Sequence, residues 1–98
     1  MDYPIGYHRR GLRYLNKYPS LDFRKSHVVP DDVTIAAGAT VTWTNSDSVA
    51  HTSTSDASGW NSGTIAPGGR FSFTFQTPGT FSYHCAIHPG MIGTVVVR

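Results

Sequence analysis

The stretch Tyr83-His84-Cys85-Ala86-Ile87-His88-Pro89-Gly90-Met91 places a thiol, an imidazole and a thioether at intervals of three residues. Those three side chains are soft or borderline donors, and together they can bind a transition metal. On a helix Cys85, His88 and Met91 would share one face, but Pro89-Gly90 makes a helix improbable there. A tight loop at the end of a strand can instead fold all three around one point. A fourth donor must come from elsewhere in the chain. His51, just after the turn that closes an alternating strand, is the best candidate.

The donor set discriminates among metals. One thiolate, two imidazoles and a thioether suit copper cycling between Cu(I) and Cu(II), in a trigonal His₂Cys site with a long axial Met. Zinc accepts Cys and His, but structural zinc sites take four such ligands and Met is a poor one. Covalent haem attachment needs a Cys pair before the His, and a single Cys also rules out an internal disulfide. A Cys–His nucleophilic dyad would leave Met91 without a role in the loop. His84 lies on the opposite strand face from Cys85. It is expected to be a surface histidine, although a neighbouring second metal is the alternative. The chain has no His-x-His pair to complete such a second site, since His8 and His27 are isolated.

These donors need a rigid frame, and the sequence predicts one made of strands. Leu21 and Phe23 alternate with polar residues, as do Val33 and Ile35, and Ala37-Gly38-Ala39 marks a turn. Val41 and Trp43 alternate with Thr40, Thr42 and Thr44 before Asn45-Ser46-Asp47-Ser48 closes the strand. Residues 49–55 read as extended. Residues 56–70 read as loop, with a short strand at Thr64-Ile65 and with Trp60 exposed. Phe71, Phe73 and Phe75 share one face. After the turn Thr77-Pro78-Gly79, Phe81, Tyr83 and Cys85 share another. Residues 94–98 form a last strand. Period-two alternation with regular turn signals predicts an antiparallel sandwich or barrel whose core includes Trp43, the three Phe residues, Phe81 and Tyr83.

Residues 1–20 form an irregular arm with one helical turn expected near Leu12 to Lys17, and residues 21–98 form the domain. Six of the eight Lys and Arg residues (Arg9, Arg10, Arg13, Lys17, Arg24 and Lys25) lie in the first quarter. The arm suits an acidic protein or an anionic membrane surface. No nucleic acid is expected, because no basic run is interleaved with aromatics across a sheet face. No apolar run approaches the ~20 residues of a membrane helix. Residues 1–27 also lack the apolar stretch of a signal peptide.

The C-x₂-H-x₂-M loop after a Tyr-His strand end, followed by Gly93-Thr94-Val95-Val96-Val97, resembles the cupredoxin family, and most closely its amicyanin- and plastocyanin-like members. Gly38-Ala39-Thr40-Val41-Thr42-Trp43-Thr44-Asn45 with His51-Thr52 is similar to that family's first-ligand region, and Val28-Val29-Pro30 stands where many members have Phe-x-Pro. The resemblance covers residues 21–98. It implies an all-β, cupredoxin-like Greek-key sandwich or barrel of about seven to eight strands. It also implies one type 1 copper on His51, Cys85, His88 and axial Met91, and an electron carrier that is monomeric and periplasmic or otherwise extracytoplasmic. Redox partners would dock near His88 on an apolar patch of Ile87, Pro89, Met91 and Ile92. Many members have Asn where this chain has Thr52, so the hydrogen bond that pins the ligand loop is expected to differ. Two other functions compete. One is a copper redox enzyme or subunit, like nitrite reductases and multicopper oxidases, with a second copper at His84 or an open substrate position. The other is copper delivery or storage, which would favour more Met and His ligands than Met1 and Met91 add.

Overall fold

Alternation of apolar and polar residues builds each strand with one face toward the core. In a computed structural model that describes residues 18–25 and 27–98, eight strands form. They are β1 (Ser20–Arg24), β2 (His27–Val29), β3 (Asp32–Ile35), β4 (Thr40–Asn45), β5 (Thr54–Ser55), β6 (Arg70–Thr74), β7 (Gly79–His84) and β8 (Ile92–Val97). The expected basic arm and its helical turn fall largely on residues 1–17, outside the described residues.

Two four-stranded sheets pack face to face, in the orders β2-β1-β4-β6 and β3-β8-β7-β5. Only β1–β2 and β7–β8 follow one another within a sheet. Every other connection changes sheet, which ties the two layers together. The purely antiparallel reading needs correction, because β1 pairs with β4 in parallel and β3 with β8 in parallel. Those partners meet through connections that cross between layers, and local alternation carries no trace of strand direction.

Leu21, Phe23, Val41, Trp43, Val95 and Val97 are buried at the interface of the sheets, as the period-two pattern requires. Trp43 meets Tyr83 edge-on at 5.4 Å between ring centroids. Phe75 is buried, whereas Phe71, Phe73 and Phe81 are half-buried and flank the core. Trp60 is the residue most misplaced by sequence reading. It is buried at 7% exposure, stacked against Phe73 and edge-on to Phe75, with its indole N–H donating to Ser53 Oγ at 2.9 Å. Its Gly/Ser-rich surroundings form a loop, but the loop turns this large aromatic side chain inward and satisfies its polar end there. Among the described residues no helix is long and apolar enough to cross a membrane.

Candidate metal centre

The core-facing phase of β4 runs Val41, Trp43, Asn45, and ends on a fully buried polar residue. Buried amides must be hydrogen-bonded, and Asn45 organises the following loop to meet that need. Its side-chain amide donates to the carbonyls of Val49 at 2.8 Å and Ile65 at 2.9 Å. Its Oδ1 accepts the Asp47 N–H at 2.9 Å. Ile65 in turn exchanges backbone hydrogen bonds with His51 at 2.7 and 3.1 Å. Extended pairing is therefore found at Ile65, as a single bridge to His51 rather than a strand. Sequence reading took Asn45 only as a strand end. The available signal was an amide in phase with two core apolar residues.

His51 is held from several directions. Its ring stacks on Phe23, with centroids 5.1 Å apart. One nitrogen, Nε2, lies 2.9 Å from Asp47 Oδ2. The other, Nδ1, faces Cys85 Sγ at 3.7 Å.

Cys85 follows directly after β7, whose pairing with β8 carries the chain to the end of the sandwich where His51 sits. The loop then closes on itself. Cys85 N–H donates to the Met91 carbonyl at 3.0 Å and Met91 N–H to the His88 carbonyl at 2.9 Å. This tight turn returns His88 Nδ1 to within 4.0 Å of Cys85 Sγ, with the His51 and His88 rings 4.9 Å apart. One donor atom from each of His51, Cys85 and His88 lies within 4.8 Å of the other two, and this is the one such cluster found among the described residues. Met91 is buried in the same loop. It therefore adds nothing to the surface patch expected around His88, where Ile87, Pro89 and Ile92 are exposed.

The electrostatics favour a thiolate. Burial pushes the Cys85 thiol up, but donation from the Thr52 backbone N–H, then from the His51 side chain and from His88, outweighs it and brings the thiol down to about 6. The Thr52 hydroxyl accepts the Ala86 N–H at 2.7 Å. The loop is thus pinned through the Thr52 side chain. His84 turns away and pairs with Asp56 at 2.5 Å on the surface. One sulfur and two imidazole nitrogens grouped around one point form a donor set that fits copper. His51, Cys85 and His88 are positioned to form a type 1 copper site.

Comparison with known proteins agrees. A family model described as a cupredoxin-like domain matches residues 17–97. Plastocyanin of Scenedesmus fuscus is 39% identical over 82 residues, which cover 70% of this chain and 84% of that protein. Amicyanin-alpha of Methylorubrum extorquens is 38% identical over 72 residues, covering 68% of this chain and 60% of that protein. Among solved structures, a purple cupredoxin from Nitrosopumilus maritimus superposes with a TM-score of 0.76 at 32% identity, over 82% of this chain and 99% of that one.

Proposed function

The chain belongs to the cupredoxin-like family, and from that premise we propose that it is a one-electron carrier whose single type 1 copper is held by His51, Cys85, His88 and, more weakly, Met91. The observation that carries the reading is the convergence of His51 Nδ1 and His88 Nδ1 on Cys85 Sγ, at 3.7 and 4.0 Å. Copper in such a set supplies a Cu(II)/Cu(I) couple tuned by the axial donor.

The chain's own residues do the rest. The Asn45 circuit and the Phe23 stack fix the His51 ring, so it has little room to reorient between redox states. The Thr52 N–H holds the sulfur as an acceptor. Burial of His51, Cys85 and Met91 keeps water away from three of the four donors, while half-exposed His88 provides the route outward. Around it Ile87 and Ile92, at 47% and 64% exposure, supply apolar surface for brief docking of a redox partner protein. An extracytoplasmic, periplasmic location and a monomeric state belong to the same proposal.

Copper stoichiometry with voltammetry tests it. The carrier binds one copper per chain and gives a reversible one-electron wave without catalytic turnover, and Met91→Gln keeps the copper and lowers the potential. Two coppers per chain, or catalytic current with nitrite or dioxygen, would favour the enzyme reading through His84. Rapid surrender of copper to a chelator would favour delivery or storage.

A further inference from the structure

His51 is engaged at both ring nitrogens. Nδ1 faces the Cys85 sulfur and Nε2 lies 2.9 Å from Asp47 Oδ2. The His51 side chain is fully buried and that of Asp47 is 14% exposed. Building on the copper assignment above, we infer that the Asp47 carboxylate is a positioning residue for the redox centre, holding His51 in the Nδ1-donor tautomer and biasing the centre toward Cu(II).

The geometry supplies both halves of this role. An imidazole bound to a metal through one nitrogen carries its proton on the other, and the acceptor of that proton sets tautomer, ring orientation and basicity. Here the acceptor is a carboxylate. Its second oxygen accepts the Ser48 N–H at 2.8 Å, and the Asp47 backbone N–H donates to Asn45 Oδ1. The same Asn45 donates to Ile65, whose backbone pairs with His51. Asp47 and His51 are therefore fixed relative to one another through a shared hydrogen-bonded circuit. A neutral acceptor would fix the tautomer equally well. The carboxylate adds a negative charge beside a buried imidazole, where low dielectric amplifies it. A charge of that sign makes the imidazole a stronger donor and favours the more positive metal ion.

Asp47→Asn separates the two contributions, since the amide oxygen can still accept the Nε2 proton but carries no charge. Reduction potentials of the copper-loaded wild type, Asp47→Asn and Asp47→Ala are measured, together with ¹⁵N NMR of His51 in the reduced protein. The expected result is a shift of about tenfold in the Cu(II)/Cu(I) equilibrium toward Cu(I) in Asp47→Asn, equivalent to roughly 59 mV upward for one electron. Asp47→Ala should shift at least as far, and wild-type His51 should carry its proton on Nε2. Equilibria of both variants within about twofold of wild type, or a wild-type Nε2 without a proton, overturns the inference. A purely structural carboxylate would lower unfolding stability and leave the potential in place. If Asp47→Ala does not fold, the nearly isosteric Asp47→Asn still decides the question. Absence of any copper–thiolate absorption in the wild type overturns the copper assignment itself, and this inference with it; a normal band with an unmoved potential overturns this inference alone.

Discussion

The backbone N–H of Thr52 donates to the Cys85 sulfur at 3.2 Å, although the two residues stand 33 positions apart in the chain. The Thr52 hydroxyl then accepts the Ala86 N–H at 2.7 Å. One residue thus orients both the thiolate and the first peptide of the ligand loop, and it follows the His51 ligand directly in sequence.

Thr52→Val tests the hydroxyl without changing shape. The Ala86 N–H loses its acceptor in a partly buried setting, at a cost of about 1–3 kcal/mol. Denaturant unfolding of the metal-free protein should show that loss, and copper should leave the variant faster under chelator challenge. Unchanged unfolding and exchange would mean the loop is held by other contacts.

The thiol of the metal-free protein should titrate near pH 6, followed by thiolate absorbance in the ultraviolet. Its folded value lies below the ordinary value of 9.0, so between the two the unfolded chain binds more protons and stability rises with pH. That contribution is complete above the unfolded value and disappears as pH falls through about 6. Cys85→Ala should flatten this segment of the stability profile. A thiol titrating in its ordinary range would contradict the hydrogen-bonding pattern around the sulfur.

Gly93 lies opposite Tyr83 in the β7–β8 register, and a Cβ there would overlap the Tyr83 ring and hydroxyl. Tyr83 is buried, with its ring packed edge-on against Trp43. Gly93→Ala should therefore destabilise the fold by about 1–3 kcal/mol, the usual range for overpacking. The double variant with Tyr83→Leu should recover part of the loss, as measured by thermal unfolding. Equal losses in both would remove the steric explanation.

Ile92→Lys places a charge on the apolar surface beside the ligand loop without touching the core, since Ile92 is 64% exposed. Two copies exchanging electrons through this face would then bring like charges together. The self-exchange rate, read from NMR line broadening of mixed oxidation states, should fall on the order of tenfold at low salt and recover as salt is added. A rate insensitive to the substitution would move the docking surface elsewhere.

The ligand loop was legible in the sequence because its chemistry is local. Cys85, His88 and Met91 lie within seven residues, and Pro89-Gly90 dictates a turn rather than a helix. The strands were legible for the same reason, since alternation such as Val41 and Trp43 among threonines reports one buried face directly. What was hidden depends on pairing between distant segments. The parallel register of β1 with β4, the Ile65 bridge that fixes His51, and the inward turn of Trp60 each join residues that no local period connects. Thr52 illustrates the boundary: its difference from the family's usual Asn was visible, but the Ala86 partner of its hydroxyl needed the fold.

Optical titration of the metal-free protein with Cu(II) tests the central claim most directly. The wild type should develop an intense visible thiolate-to-copper band that saturates at one copper per chain, and Cys85→Ser should bind copper, if at all, without it. A wild type that stays pale, or a Cys85→Ser variant that keeps the band, would contradict the account.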